Sequence, residues 1–183
     1  MRVLFNDFKK QYAEHAEAFD EAACRVFASG HYILGPEVEK FESSFASYLG
    51  AKHAIGVANG LEALQIALMA LGVGEGDEVI TTPFSAVATA LAIRAVGATP
   101  IFVDIDATGS LDAALVESKI TPKTKAVLPV HLYGTPADME TLSRICEKHR
   151  IPLIEDCAQA HGAEFAGKKV GTFGTFGCFS FYP

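Results

Sequence analysis

Glu155 and Asp156 close a short apolar run, Ile151-Pro-Leu-Ile154, with the length and composition of a buried parallel strand. A carboxylate at the carboxyl end of such a strand is costly unless something pairs with it. In open α/β sheets that end is also where ligands sit. Asp156 there suits a permanent positive charge such as a protonated pyridine nitrogen; the plainer alternative is a cap on a following helix. Gln159 lies three residues on, within one turn of the same place. Asn59-Gly60 stands between an apolar strand-like run and a helical one. Amides at a helix N-terminus bind phosphate, and glycine lets the backbone come close. A plain tight turn explains the pair as well. Ser180 has Phe179 and Phe181 pointing the other way if the segment is extended, so its hydroxyl is placed to meet the same phosphate. Taken alone, it reads as a small residue satisfied by backbone. His131 and His161 also follow strand ends and read first as hydrogen-bonded structural histidines. Asp104 and Asp106 read as a strand end and a turn before an acid/base pair or a metal site. Together the set supplies what a phosphorylated pyridine cofactor requires: an anion site at one end and a charge partner for the ring nitrogen at the other.

The elements that must position these residues alternate regularly. Expected strands are His53–Val57, Glu78–Thr82, Thr99–Asp104, Lys125–Val130 and Pro152–Glu155. Between and after them, Leu61–Leu71, Ser85–Val96, Leu111–Ile120 and Asp138–His149 read as helices. Repeated βα units of this length predict an α/β fold with a parallel sheet covered by helices on both faces. Ahead of them, Phe8, Tyr12, Ala16, Phe19, Ala23 and Phe27 recur at helical spacing until Ser29-Gly30. Pro36 opens a second helix, with Val38, Phe41, Phe45 and Leu49 as its stripe. These two helices are expected to serve packing or dimerisation. Phe165–Gly171 reads as a small hairpin, and Cys178–Tyr182 alternates like a strand. The chain stops at Pro183 with no helix to cover that last strand, which reads as a fragment, expected to associate when made alone.

Composition narrows the classes. The 183 residues suffice for one large domain, and the net charge of −7 without a Lys/Arg cluster argues against a nucleic-acid surface. The N-terminal residues lack the apolar core of a signal peptide, and no apolar run approaches a membrane span. Four cysteines without paired spacing predict reduced thiols and a cytoplasmic protein; no metal-ligand spacing is present.

Eight stretches then occur in a telling order. They are Ile33-Leu-Gly-Pro-Glu-Val-Glu39, His53-Ala-Ile-Gly-Val-Ala-Asn-Gly60, Gly76-Asp-Glu-Val-Ile80, Phe102-Val-Asp-Ile-Asp106, Pro129-Val-His-Leu-Tyr-Gly134, Pro136-Ala-Asp-Met139, Ile154-Glu-Asp-Cys-Ala-Gln159 and Phe179-Ser-Phe-Tyr-Pro183. With them the chain resembles the DegT/DnrJ-type sugar aminotransferases, enzymes of fold type I that depend on pyridoxal phosphate. The resemblance implies a three-layer α/β/α large domain with a mostly parallel sheet, cut before a small C-terminal domain. Residues 1–50 would be an N-terminal helical segment packing on it, and 51–183 the cofactor-binding large domain, incomplete at its carboxyl end. It also implies roles. Asp156 would pair with the pyridinium nitrogen, Gln159 would hydrogen-bond the ring hydroxyl, and Gly60, Leu61 and Ser180 would hold the phosphate. The Schiff-base lysine is expected just beyond Pro183, so no catalytic residue is assigned within the chain.

The implied reaction moves an amino group from an amino acid, glutamate, to a nucleotide-linked keto sugar, in a homodimer with shared active sites. Two departures stand out: Leu61 where the family usually has Thr, and Ala86 where it usually has an aromatic residue stacked on the ring, with Phe84 nearby. A sister class on this scaffold carries His in place of the lysine and removes a sugar hydroxyl. A truncated, non-catalytic binding module is the third reading.

Overall fold

Strand residues that alternate in side-chain direction meet two different helical layers. The computed structural model describes residues 7–181 and has parallel strands β1 (Glu78–Thr81), β2 (Thr99–Phe102), β3 (Thr124–Val127), β4 (Ile154–Asp156) and β7 (Phe176–Cys178). Between β4 and β7 lies a small antiparallel hairpin of β5 (Glu164–Phe165) and β6 (Lys168–Lys169). The helices are α1 (Phe8–Ser29), α2 (Pro36–Leu49), α3 (Gly60–Ala70), α4 (Val87–Ala95), α5 (Ala113–Val116) and α6 (Met139–His149).

β1 pairs with β2 on one side and β3 on the other, and β4 pairs with β7. Parallel bridges Val127–Leu153 and Val130–Asp156 join the two groups, giving the order β2-β1-β3-β4-β7. Val79, Ala126, Leu128, Ile154 and Cys178 point to one face and pack with Leu64 and Leu68 of α3 and Ile93 of α4. Ile80, Val127 and Leu153 point to the other and pack with Val116 of α5 and Met139, Leu142 and Ile145 of α6. Burial on both faces is why β1 and β4 read as apolar runs, whereas β2 at the edge stays partly exposed. The result is the expected α/β/α sandwich. In the β5–β6 turn, Ala166 and Gly167 both have positive φ (51° and 79°), the mirror-image turn that suits a two-residue hairpin.

The described residues fall into two compact units, one of residues 7–48 with Lys52–Gly56, the other of Leu49–Ala51 with residues 57–181. Within the first, Arg25 of α1 pairs with Glu37 of α2 at 2.9 Å, and Phe41, Phe45 and Tyr48 stack along α2. The stripe of α1 stays open: no α1 residue is buried, and Phe27 is 72 % exposed. Among the described residues, no helix is long and apolar enough to cross a membrane.

Three expectations are corrected. His53–Val57 forms no strand: its backbone has no ladder partner, Ile55 is 81 % exposed, and the Gly56 amide bonds the Glu42 carboxylate instead. A short apolar run suits a strand, but a strand also needs a neighbouring edge. Leu111–Ile120 yields only the one turn of α5, capped by Asp112 onto the Ala114 amide, and a 3₁₀ turn at Glu117–Lys119. The last strand is Phe176–Cys178 rather than Cys178–Tyr182. After Cys178 the chain leaves the ladder, and Phe179 packs with Cys157, Ala160 and Val170. Tyr182 and Pro183 lie outside the described residues.

Candidate active site

Asp156 ends β4 and is buried. Its Oδ1 accepts from the Ala158 amide at 3.1 Å, an Asx-type turn, so it caps no helix. Its Oδ2 accepts from the Thr89 hydroxyl at 2.9 Å, and Thr89 Oγ1 lies 2.7 Å from Ser85 Oγ. Burial pushes the Asp156 pKa up, and the bonds from Ala158 and Thr89 oppose that rise. None of the ion pairs among the described residues includes Asp156. A desolvated carboxylate of this kind is set for a cation that arrives with a ligand.

Glu155 points the other way, as the strand pleat requires. It is fully buried, and its two oxygens accept from the amides of Gly171 (2.7 Å), Phe173 (2.7 Å) and Gly174 (2.8 Å) and face His131 Nε2 at 3.1 Å. His131 Nδ1 accepts from the Ala137 amide at 3.1 Å, so the ring is the neutral tautomer with its proton on Nε2. Glu155 and His131 thus brace the loop that leads to β7. His131, Glu155 and Cys157 bring their ligand atoms within 4.8 Å of one another, as a metal would require. The Glu155 oxygens are already committed to four donors, and burial holds the Cys157 thiol well above its ordinary pKa, so the cluster is a hydrogen-bonded knot.

The pairing of Asp156 with Cys178 carries the site toward a second group. Two residues past Cys178, Ser180 lies against the amino end of α3; a Cβ placed on Gly60 would sit 2.8 Å from Ser180 Cβ and 3.3 Å from its Oγ. Asn59 caps α3 by accepting from the Glu62 amide at 2.9 Å, and Glu62 in turn accepts from the Ala58 amide at 3.0 Å. The amides of Gly60 and Leu61, first and second in the helix, have no acceptor within it. Amides, helix dipole and hydroxyl meet there as an anion cradle.

Gln159 is exposed, and its Oε1 accepts from the Tyr133 amide at 3.0 Å, which fixes the side chain against the turn after His131. His161 packs beside the rings of Phe179 and Phe181; partial burial lowers its pKa, and a hydrogen bond with the Ser180 backbone opposes that. Asp106 accepts from the Thr108 hydroxyl and from the amides of Thr108 and Ser110, and Asp104 from the Ile105 amide, so both shape turns. Ala86 is the residue before α4, and the Phe84 ring lies beside Gly109. Ser85 and Thr89 carry no motif signal. Ser85 lies two residues before α4 and Thr89 in its first turn, and only the placement of α4 beside the end of β4 turns the pair into a site.

Comparison with known proteins places this geometry. The structure of DesV from S. venezuelae in complex with a ketimine intermediate superposes with a TM-score of 0.96 at 49 % identity, covering 100 % of this chain and 49 % of that one. The scaffold is that of the fold-type I aminotransferases. The model of the DegT/DnrJ/EryC1/StrS aminotransferase family matches residues 13–183, and the chain belongs to that family. It is 49 % identical over 183 residues to dTDP-3-amino-3,4,6-trideoxy-alpha-D-glucose transaminase of Streptomyces venezuelae, covering 100 % of this chain and 48 % of the relative. It is also 49 % identical over 182 residues to UDP-2-acetamido-2-deoxy-3-oxo-D-glucuronate aminotransferase of Pseudomonas aeruginosa, covering 99 % and 51 %. The chain spans about half the length of the curated relatives it matches.

Proposed function

We propose that the protein carrying this chain is a pyridoxal-phosphate-dependent aminotransferase that moves an amino group from glutamate to a keto sugar carried on a nucleotide. The observation that carries this reading is Asp156: a buried carboxylate without a cationic partner among the described residues, on a strand whose neighbour leads to the Gly60–Ser180 cradle. The residues present fit the cofactor. Gly60 and Leu61 offer amides and Ser180 a hydroxyl to the phosphate, Gln159 an amide to the ring hydroxyl, and Asp156 a negative charge to the ring nitrogen. Leu61 keeps the backbone donor but gives no hydroxyl. When bound, the cofactor supplies an electron sink for the carbon that loses its proton. Asp156 holds a proton at the ring nitrogen, and the cradle fixes the opposite end so that the ring keeps its position through turnover. No lysine of this chain is given the covalent role.

The relatives named as nucleotide-sugar transaminases support the substrate class, and they favour transamination over the dehydratase chemistry of the sister class. We assign residues 1–50 to a helical segment and 51–183 to the cofactor-binding domain. The proposal includes a cytoplasmic homodimer with shared active sites; the open apolar stripe of α1 and Val87 and Leu91 on α4, 70 % and 48 % exposed, favour association between copies. The test is a half-reaction in the full-length protein: glutamate alone should yield 2-oxoglutarate in proportion to bound cofactor, and the keto sugar should then be aminated. Consumption of the sugar without conversion of glutamate would refute the reading.

Gly60→Ala tests the cradle. The residue has no left-handed backbone to strain, and alanine is well tolerated in the first turn of a helix. The added methyl would meet Ser180 Cβ at 2.8 Å and push the hydroxyl away. We expect pyridoxal phosphate to bind about 10-fold more weakly, roughly 1.4 kcal/mol, in equilibrium dialysis, with a smaller loss of stability in the cofactor-free protein because Ser180 Cβ must shift.

A further inference from the structure

Asp156 reaches the amino end of α4, where two hydroxyls stand in line, Thr89 in the first turn and Ser85 in the segment just before it. Thr89 is 1 % exposed, and its side chain has a single proton to give. An ionised Asp156 only accepts, so that proton lies on the 2.9 Å bond from Thr89 Oγ1 to Oδ2. Thr89 Oγ1 is then left with lone pairs alone toward Ser85 Oγ, and across that 2.7 Å contact Ser85 must be the donor. The chain of donors therefore runs one way, Ser85 to Thr89 to Asp156. Ala158 takes Oδ1 through its amide at 3.1 Å, so the carboxylate is gripped at both oxygens. It also lies at the amino end of α4, where Ala86 provides no side-chain cap and the helix dipole favours a negative charge.

We infer that Ser85 and Thr89 are positioning residues: a two-hydroxyl relay at the amino end of α4 that holds Asp156 as an oriented carboxylate and, through it, sets the protonation of the cofactor's ring nitrogen. The inference rests on the cofactor reading above. Thr89 touches neither cofactor nor substrate; it acts through Asp156. Without its hydroxyl, Oδ2 loses a donor within a buried site, the ionised form becomes less favourable, and the side chain is freed to turn. A carboxylate that is less often ionised and less well aimed keeps the ring nitrogen protonated less of the time.

The experiment uses the full-length protein loaded with pyridoxal phosphate carrying ¹⁵N in the ring, with Thr89→Val, Thr89→Ser and Ser85→Ala compared in the wild-type and Asp156→Asn backgrounds. Valine keeps the shape of threonine and removes only the hydroxyl. We expect Thr89→Val to weaken cofactor binding about 10-fold and to move the ring ¹⁵N resonance toward the unprotonated position. Thr89→Ser should restore both, and Ser85→Ala should give a smaller shift in the same direction. In the Asp156→Asn background Thr89→Val should add less than about 2-fold, because the residue it acts through is gone. Equal losses in both backgrounds, or a wild-type resonance in Thr89→Val, would overturn the inference while leaving the cofactor reading in place. A wild-type protein that takes up no pyridoxal phosphate would overturn both.

Discussion

Asp156→Asn is expected to reduce amino transfer from glutamate by about 10³-fold, the scale on which loss of one preorganised polar group reads out, while leaving the cofactor-free protein as stable as before or more so. The two halves have one cause. Asp156 is buried at the end of β4, and burial raises its pKa. Between the ordinary carboxylate pKa and the raised folded value, the native state holds a proton that the unfolded chain has already lost. Stability therefore falls as pH rises through that window. Wherever Asp156 is ionised without the cofactor, the site contains a carboxylate held out of water, and Asn removes that cost. The local hydrogen bonds accommodate the change. Asn Oδ1 can accept from the Ala158 amide, and its Nδ2 can donate to Thr89 Oγ1 once Thr89 turns its proton toward Ser85.

Loading with pyridoxal phosphate reverses the order. The wild-type carboxylate gains a cationic partner and the amide does not, so the cofactor should raise the melting temperature of the wild type by more than that of the variant. Single-turnover kinetics and thermal melts at several pH values, with and without cofactor, check both halves. Near-normal turnover in Asp156→Asn would remove Asp156 from its assigned role. A cofactor-free variant melting well below the wild type would show that the carboxylate is structural.

How much of this was legible in the chain depended on the range of the interaction. The strand of Asp156 shows in four apolar residues followed by two acids, a local pattern, and the cap at Asn59 likewise needs only its own helix. The pleat separates the acids: Asp156 faces α4, and Glu155 faces the loop of Gly171–Gly174. Read in sequence, they were two carboxylates at one strand end; only partners far along the chain give them different work. Thr89 is 67 residues from Asp156, and in an apolar helix it reads as core. The opposite error occurred at His53–Val57, where a short apolar run reads as a strand but no edge pairs with it. His131 was expected to be a hydrogen-bonded structural residue, and its neutral ring between Ala137 and Glu155 is that.

Glu155→Ala should be the most destabilising single change in this region, lowering the melting temperature by about 10 °C or more or preventing folding. Its two fully buried oxygens take three backbone amides from one half-buried loop and the Nε2 proton of the buried His131. Alanine leaves those donors facing a cavity. At about 1–3 kcal/mol for each buried group left unpaired, the sum reaches a large part of the roughly 5–15 kcal/mol that holds a domain together.

Glutamine does not rescue the site. Its amide group must replace one oxygen, and at either position its N–H would face another N–H. His131 cannot adjust, because its Nδ1 is needed as an acceptor for Ala137. The effect should extend to the cradle, because the loop runs directly into β7 and Ser180. A Cβ on Gly177 would collide with the Gly171 carbonyl, and one on Gly174 with that of Leu153, so the loop packs backbone against backbone where it meets β4 and β7. Glu164→Gln is the control. That glutamate pairs with Lys169 at 2.9 Å on the exposed hairpin, where ion pairs contribute little, and the melt should not move. Denaturant and thermal unfolding of the three variants beside the wild type decide the matter. Glu155→Gln melting with the wild type would mean that the loop holds without its carboxylate, and that the brace assigned to Glu155 and His131 is wrong.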